Sequence, residues 1–259
     1  DRPSTQSRTD LRRIPGHHGR CRTCGSEATA PPPSAIASAD FQECAQAAIV
    51  AEASGVDFSL EGSSFTANEL PLWIHANLAG SLAADNTMSG NDDDYILLGV
   101  NGASTEVSAN QTWNTFDVPY RADRTVLVSG ELTLSPGLIF EFDQDTGVQV
   151  NGGNLIADAS SGDRIQFIPA DGETLSGFWK GIHFIDSFSS SNTIANADIL
   201  YGGSSGWTGG EQSIAGLYIS GGSNKAQVSL DDVRIAGSGR WGVSIDEEGA
   251  ISPCAAVTL

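Results

Sequence analysis

Three stretches of the chain repeat one pattern, a glycine followed by apolar residues at alternate positions. They are residues 181–185, 216–220 and 242–246. Alternate side chains of a strand lie on opposite faces, so each stretch is predicted to be a strand with one apolar face. Stacking them aligns two apolar columns, one containing Ile182, Leu217 and Val243 and the other Phe184, Ile219 and Ile245. A repeat of this kind is typical of a solenoid.

A second short strand follows two of these repeats. It begins with Asp198, 17 residues after Gly181, and with Asp232, 16 residues after Gly216. Upstream, the runs 125–128, 132–134, 138–142, 148–150 and 165–168 are separated by glycine-rich or polar turns. Short strands at such intervals fit a sandwich, a barrel or a parallel β-helix. Recurrence of the pattern favours the solenoid, an all-β fold.

The organisation along the chain is predicted in three parts. Residues 1–39 are rich in Arg, Ser and Pro and are expected to form a disordered basic tail. Residues 40–111 should hold a short capping helix at 40–54, with Asp40 as N-cap and Gly55 as stop, followed by irregular first rungs or a cap. Residues 112–259 should form the β-helix, with its last rung at 255–259 cut off and further C-terminal rungs missing.

The charge of the chain is strongly acidic. Its formal net charge is −19, with +3 in residues 1–30 and −22 in the remainder. Such a surface repels nucleic acid and anionic lipid, so no nucleic acid partner is expected. No apolar run is long enough to span a membrane. The composition indicates a secreted or cell-surface protein, and four cysteines are too few for a disulfide framework.

Several short sequence motifs follow one another in a recognisable order. Residues 134–142, 147–152, 162–167, 177–184 and 196–203 read LSPGLIFEF, GVQVNG, GDRIQF, GFWKGIHF and NADILYGG. Over residues 112–259 the chain resembles the bacterial right-handed parallel β-helix repeat proteins. This resemblance implies a right-handed parallel β-helix, of the fold shared with pectate lyases, in a secreted or surface protein that is often multidomain. Many such proteins have no assigned activity, and the fold alone does not fix the chemistry.

The enzymes that share this fold suggest where catalysis would lie. Asp198, Asp231 and Asp232 faintly resemble the aspartate elements of polygalacturonases, and Arg234 resembles part of their Arg-Ile-Lys element. The Gly-His-Gly element of those enzymes is missing, and Arg234 follows Asp232 too closely. Turn formation explains these aspartates more simply, so no catalytic residue is assigned and these four stay a weak alternative.

Acidic turns also suggest a metal. Asp143 and Asp145, and Asp92 and Asp94, offer the oxygen ligands that Ca²⁺ prefers, but neither run matches an EF-hand loop. A solvated acidic turn is the simpler interpretation, so no cofactor is assigned and calcium stays possible. The His17-His18 pair near Cys21 and Cys24 is too crowded for a tetrahedral zinc site.

The outward positions of the repeats suggest a ligand. Alternation turns His183, Tyr218 and Ser244 to one external face, with Trp179 and Trp241 near the starts of their rungs. Aromatic faces stack on sugar rings while their polar edges form hydrogen bonds. Trp179, His183, Tyr218 and Trp241 are therefore predicted as a polysaccharide-binding or surface-glycan-binding strip, although aromatic residues beside turns also cover loops.

Three functions remain open from the sequence. The first is a non-catalytic extracellular β-helix module for adhesion or polysaccharide binding. The second is a polysaccharide lyase or glycoside hydrolase, which would need converging acid and base groups with shifted pKa values. The third is a structural spacer in a larger surface protein.

Overall fold

The computed structural model describes residues 34–99, 104–221, 225–246, 249–252 and 257–258. The predicted basic tail with its His17, His18, Cys21 and Cys24 lies outside these residues, apart from the segment 34–39. Within them the chain is all-β, built from parallel strands in stacked sheets and compatible with a parallel β-helix.

The strands are short and follow one another closely. The first group is β1 (Ser34–Ala37), β2 (Asp40–Gln42), β3 (Ala47–Ala51), β4 (Phe58–Glu61), β5 (Ser64–Thr66), β6 (Leu70–Ile74) and β7 (Ile96–Leu98). The second group is β8 (Ser104–Val107), β9 (Gln111–Trp113), β10 (Tyr120–Ala122), β11 (Thr125–Val128), β12 (Glu131–Leu134), β13 (Ile139–Phe142), β14 (Gly147–Asn151), β15 (Asn154–Asp158) and β16 (Ile165–Pro169). The third group is β17 (Gly181–Ile185), β18 (Thr193–Leu200), β19 (Ala215–Ser220), β20 (Ala226–Ala236), β21 (Trp241–Ile245), β22 (Gly249–Ser252) and β23 (Val257–Thr258). Three 3₁₀ helices, Ala76–Ser81, Ala170–Gly172 and Glu211–Ser213, interrupt the series.

With the exception of β6 and β7, strands that are consecutive in the chain do not pair with each other in the described residues. In the segment 125–142, which we call a coil, β11 pairs with β8 and β14, β12 with β9 and β15, and β13 with β10 and β16. Every described pairing of named strands is parallel. A 6-stranded sheet runs β21-β19-β17-β14-β11-β8. In the 13-stranded sheet, two stacks of strands, β3-β6-β7-β10-β13-β16 and β9-β12-β15, are joined because the long strand β18 pairs with both β16 and β15. Each coil therefore lies on the previous one, strand over strand.

The two predicted apolar columns are confirmed. Ile182 aligns with Leu217 and Leu217 with Val243, while Phe184 aligns with Ile219 and Ile219 with Ile245. Ile182 and Leu217 are fully buried. Ile245 is 44% exposed because β21 is the edge strand of its sheet in the described residues.

The predicted helix at 40–54 is wrong, because this segment forms β2 and β3. Phe41 is buried between the exposed Asp40 and Gln42, and its ring stacks on Phe65 at 4.8 Å between centroids. Pairing with the next coil overrides the helix propensity of the segment. The 34–39 segment, predicted as tail, contains β1, which pairs with β4. The first coils thus continue the same stacked arrangement.

Asparagine side chains hold neighbouring coils together at one corner. The Asn68 carbonyl oxygen accepts from the Cys44 backbone N–H at 3.1 Å, and the Asn91 carbonyl oxygen accepts from both the backbone N–H and the side-chain amide of Asn68. Asn68 is fully buried. Its bonds satisfy backbone groups that the turns leave unpaired. Cys44, also buried, is disulfide-bonded, so it is more than the small buried hydrophobe that its surroundings suggest.

No helix in the described part of the chain has the length and apolar character needed to cross a membrane.

Candidate functional site

One line of outward side chains crosses several coils of the larger sheet. Each member aligns with the next in register, and we call the line the outer row: Val50, Trp73, Leu97, Arg121, Glu141 and Ile168. Alternation within each strand produces it, because the neighbours on both sides of each member are buried. The outer row is thus fixed by the same register that fixes the core.

The beginning of the outer row is apolar and partly open to solvent. Val50 is 42% exposed, and Trp73 and Leu97 are half-buried. The indole Nε1 of Trp73 is buried and has no hydrogen-bond partner among the described residues, although buried Trp N–H groups normally find one. A side chain at Gly99 would meet this nitrogen at 3.0 Å and the Asp123 carboxylate at 2.8 Å. Glycine at position 99 therefore leaves room for the Trp73 edge.

Arg121 organises the next part of the outer row. Its guanidinium donates to Asp143 at 2.8 Å and to both carboxylate oxygens of Asp171 at 2.7 and 2.9 Å. The guanidinium carbon lies 4.8 Å from the centre of the Tyr95 ring. Burial and the nearby Asp93 carboxylate raise the pKa of Tyr95 to about 12. The cation is held by two carboxylates and one aromatic face.

Glu141 lies directly beside Arg121 in the register. Burial raises the pKa of its carboxyl above the usual range; the charge of Arg121 opposes this, and Asp171 and Asp143 add to it. No described residue donates a hydrogen bond to this carboxyl. A half-buried carboxylate with a shifted pKa and no partner has the features of a ligand-contacting group.

The predicted strip on the smaller sheet is assembled as expected but covered. His183 aligns with Tyr218 and Tyr218 with Ser244 on one outward face. His183 is 1% and Tyr218 4% exposed, because the loop 201–214 crosses them with Trp207, whose ring centre lies 5.3 Å from that of His183. A binding role for His183 and Tyr218 stays a prediction, and it requires this loop to move.

Beneath the loop the side chains of His183 and Tyr218 are both hydrogen-bonded. His183 Nε2 lies 2.7 Å from the Ser220 hydroxyl, and its Nδ1 lies 3.1 Å from the side-chain amide of Gln149. The Tyr218 hydroxyl donates to Asp246 at 3.2 Å. Burial lowers the pKa of His183 to about 4, Asp246 partly opposes this, and Lys180 adds to it. The imidazole is therefore neutral near pH 7 and saturated with hydrogen bonds.

The repeated glycines explain how the loop fits. A side chain at Gly147 would meet the Trp207 ring at 2.9 Å and the backbone oxygen of Gly181 at 2.6 Å. Gly181 has a φ of +95°, and a side chain there would collide with the Ala215 backbone oxygen. Glycine at the start of these strands allows the coils and the loop to approach closely.

The two tryptophans of the predicted strip lie in different environments. Trp179 is fully buried and stacks on Phe142 with 4.2 Å between ring centres, and its Nε1 donates to the Leu200 carbonyl. Trp241 is 47% exposed, with the Arg240 guanidinium 5.5 Å from its ring centre. Trp179 thus belongs to the core, and of the four predicted residues only Trp241 is open to solvent.

Two of the four catalytic candidates, Asp198 and Asp232, are bound by Arg164, a residue that was not among the candidates, and the other two lie nearby on β20. Arg164 donates to Asp198 at 3.0 Å and to the Asp232 carboxylate at 2.8 Å, and also to Asn196 and to two backbone carbonyls. Asn196 and Asp232 both have positive φ, near 48°, and each forms a bend within its long strand, β18 or β20. Asp231 and Arg234 are exposed on β20 beside the bend at Asp232, and Arg234 aligns with Asp198. The arrangement acts as a clamp between coils.

The calcium candidates have protein partners or lie in turns. Asp143 binds Arg121 at 2.8 Å. Asp94 accepts from the backbone of Gly90 and Asn91, while Asp92 and Asp145 are exposed. Among the residues that the structure describes, no group of three or more His, Cys, Asp or Glu side chains is placed to hold a metal ion.

The outer row was missed because its members are far apart in the sequence. Its signal is a single variable residue between buried neighbours in Leu72-Trp73-Ile74, Ile96-Leu97-Leu98, Tyr120-Arg121-Ala122 and Phe140-Glu141-Phe142. Only the register shows that these four positions are adjacent.

Comparisons of the chain with family models, curated proteins and solved structures find no match.

Proposed function

We propose that this chain is an extracellular or cell-surface module with a right-handed parallel β-helix fold, and that it binds polysaccharide along the outer row without catalysis. The parallel registers between coils support the β-helix. Parallel crossover connections are right-handed in about 98% of cases, which supports the handedness.

The observation that carries the binding proposal is the alignment of Val50, Trp73 and Leu97 with Arg121 and Glu141. Neighbouring strands lie about 4.8 Å apart, a distance comparable with the length of one sugar ring in a chain. A polysaccharide lying across the strands would therefore meet one outward side chain with each successive ring. The apolar members contact ring faces, and the polar members form hydrogen bonds with hydroxyls.

Two further features support the extracellular location. Cys44 is disulfide-bonded, and disulfides persist mainly in oxidising compartments outside the cytosol. The net charge of −19 repels nucleic acid, as expected of a protein that works away from it.

A binding role fits the surface better than a lyase or hydrolase role. The carboxylates of Asp198 and Asp232 are bound to Arg164, and those of Asp143 and Asp171 to Arg121. An enzyme needs both an acid and a base free to reach substrate. Glu141 is free of hydrogen-bond donors among the described residues, but the neighbouring Asp143 and Asp171 are both bound by Arg121, so no second free carboxylate accompanies it there. A binding surface needs complementarity alone.

The test is affinity gel electrophoresis of the purified chain on a panel of soluble polysaccharides. We expect at least one polysaccharide to retard the chain. Trp73→Ala should weaken the affinity calculated from that retardation at least ten-fold. Trp241→Ala is the matched control, since Trp241 is an exposed tryptophan on the other sheet, and it should bind as the wild type does. Retardation by no polysaccharide would favour the spacer function, and release of reducing ends would favour the enzyme.

A further inference from the structure

The charges around the outer row restrict which polysaccharide fits it. From them we infer that the ligand is an uncharged polysaccharide and not a polyuronate such as pectate or alginate. This inference rests on the proposed function, because it concerns the same surface.

The outer row contains one cation, and that cation is neutralised. Arg121 binds Asp143 and Asp171 together, and its side chain is only 15% exposed. Glu141 adds a third carboxyl beside it, and Asp93 lies near the Tyr95 ring that Arg121 covers. The local charge is therefore negative wherever the row is polar.

The apolar part of the row offers no compensating positive charge. Val50, Trp73 and Leu97 are uncharged, and the nearby Arg124 forms a two-point ion pair with Asp123, at 2.7 and 2.9 Å. A polymer with a carboxylate on each sugar would meet like charges along the row, and like-charge contacts discriminate strongly against a partner. Recognition of a polyuronate would instead require exposed lysine or arginine side chains.

The Glu141 carboxyl of the row fits a sugar hydroxyl. It is half-buried, receives no hydrogen bond from a described residue and can accept one from a ligand. A hydroxyl both donates and accepts, so a hydroxyl of an uncharged sugar chain can satisfy this carboxyl without adding a charge. A uronate also has hydroxyls, but its carboxylate only accepts hydrogen bonds and is repelled by an ionised Glu141.

The experiment compares two panels at low salt with EDTA present, so that no divalent ion bridges carboxylates. The uncharged panel is laminarin, xyloglucan and galactomannan; the acidic panel is polygalacturonate and alginate. We expect binding to at least one uncharged polymer, with little change between low and high NaCl, and at least ten-fold weaker binding to both acidic polymers.

Two glutamate variants locate the effect. Glu141→Gln should weaken binding of the uncharged polymer three- to ten-fold and reduce the discrimination against the acidic ones. Glu61 is an exposed residue on β4, outside the outer row. Glu61→Gln should change neither the binding of the uncharged polymer nor the discrimination against the acidic ones. Circular dichroism melting of each variant shows that the fold is kept.

The outcomes separate the two proposals. Binding of acidic polymers alone, abolished by Trp73→Ala, would overturn the inference and leave the proposed function intact. Tight binding of both panels would also overturn it. Binding of neither panel, with wild-type folding, would overturn the proposed function together with the inference.

Discussion

The Nε2 atom of His183 lies 2.7 Å from the hydroxyl of Ser220 in the neighbouring coil. This bond, with Gln149 on the other ring nitrogen, holds a neutral imidazole between three coils. The outward face of β17 and β19 is therefore a second buried layer under the loop 201–214, and His183 in this layer gives the chain a measurable dependence on pH.

Acid should destabilise the chain through His183. Its pKa is about 4 when folded and about 6.5 when unfolded, so between these values the unfolded chain binds the extra proton. The free energy of unfolding should then fall as pH decreases from 6.5 to 4, by on the order of 3 kcal/mol. Urea unfolding of the wild type and of His183→Gln across this range measures it. If the free energy of unfolding of both proteins fell equally with decreasing pH, the prediction would be wrong.

Removal of Trp207 should expose His183 to water. In Trp207→Ala the burial that lowers the pKa of His183 is reduced, so this pKa should rise from about 4 towards 6.5. An NMR titration of the imidazole signals measures the change. Trp241→Ala should leave the titration unaltered, because Trp241 does not contact His183. An unchanged pKa in Trp207→Ala would mean that the loop does not provide the burial.

The Arg164 clamp should contribute to stability. Arg164→Ala removes the bonds donated to the Asp198 carboxylate and to the Ala197 and Asp232 backbone carbonyls, so we expect the free energy of unfolding to fall by about 2 kcal/mol. Arg234→Ala removes an exposed arginine from the same corner and should change it by less than about 0.5 kcal/mol. Chemical denaturation of both variants tests this. Equal losses would show that the clamp is not specific to Arg164.

The residues of the apolar column that contains Leu217 should contribute less to the free energy of unfolding towards the edge strand β21. Leu217 is fully buried between its partners Ile182 and Val243, so Leu217→Ala should cost about 3 kcal/mol in the free energy of unfolding. Val243 is only partly buried, and Val243→Ala should cost about 1 kcal/mol. If the Val243 variant lost as much as the Leu217 variant, the column would not weaken at β21.

The strands of the repeats could be predicted because each carries its own apolar alternation. Ile182 and Leu217 are buried by neighbours of the same kind, so a local pattern was enough to give their register. The segment 40–54 could not be predicted in this way. Its alanines favour helix locally, and only pairing of β3 with β6, more than twenty residues later, makes it a strand.

The outward residues were harder to predict because their environment comes from distant segments. Alternation placed His183 and Tyr218 on one face, but their burial depends on Trp207, which the local pattern does not mark. Trp179 carried the same aromatic signal as Trp241, yet it stacks on Phe142 inside the core. Arg121 meets Asp171, fifty residues later, through a register that no short motif encodes.

The bond between Asn68 and Asn91 also restricts how the chain can change in length. Inserting or deleting one residue between them would shift both amides away from the backbone groups that they satisfy, so this corner should tolerate no change in residue count. The loops 170–178 and 201–214 leave the coils at another corner and already vary in size. Engineered insertions or a natural lengthening of the chain should therefore be accepted there first.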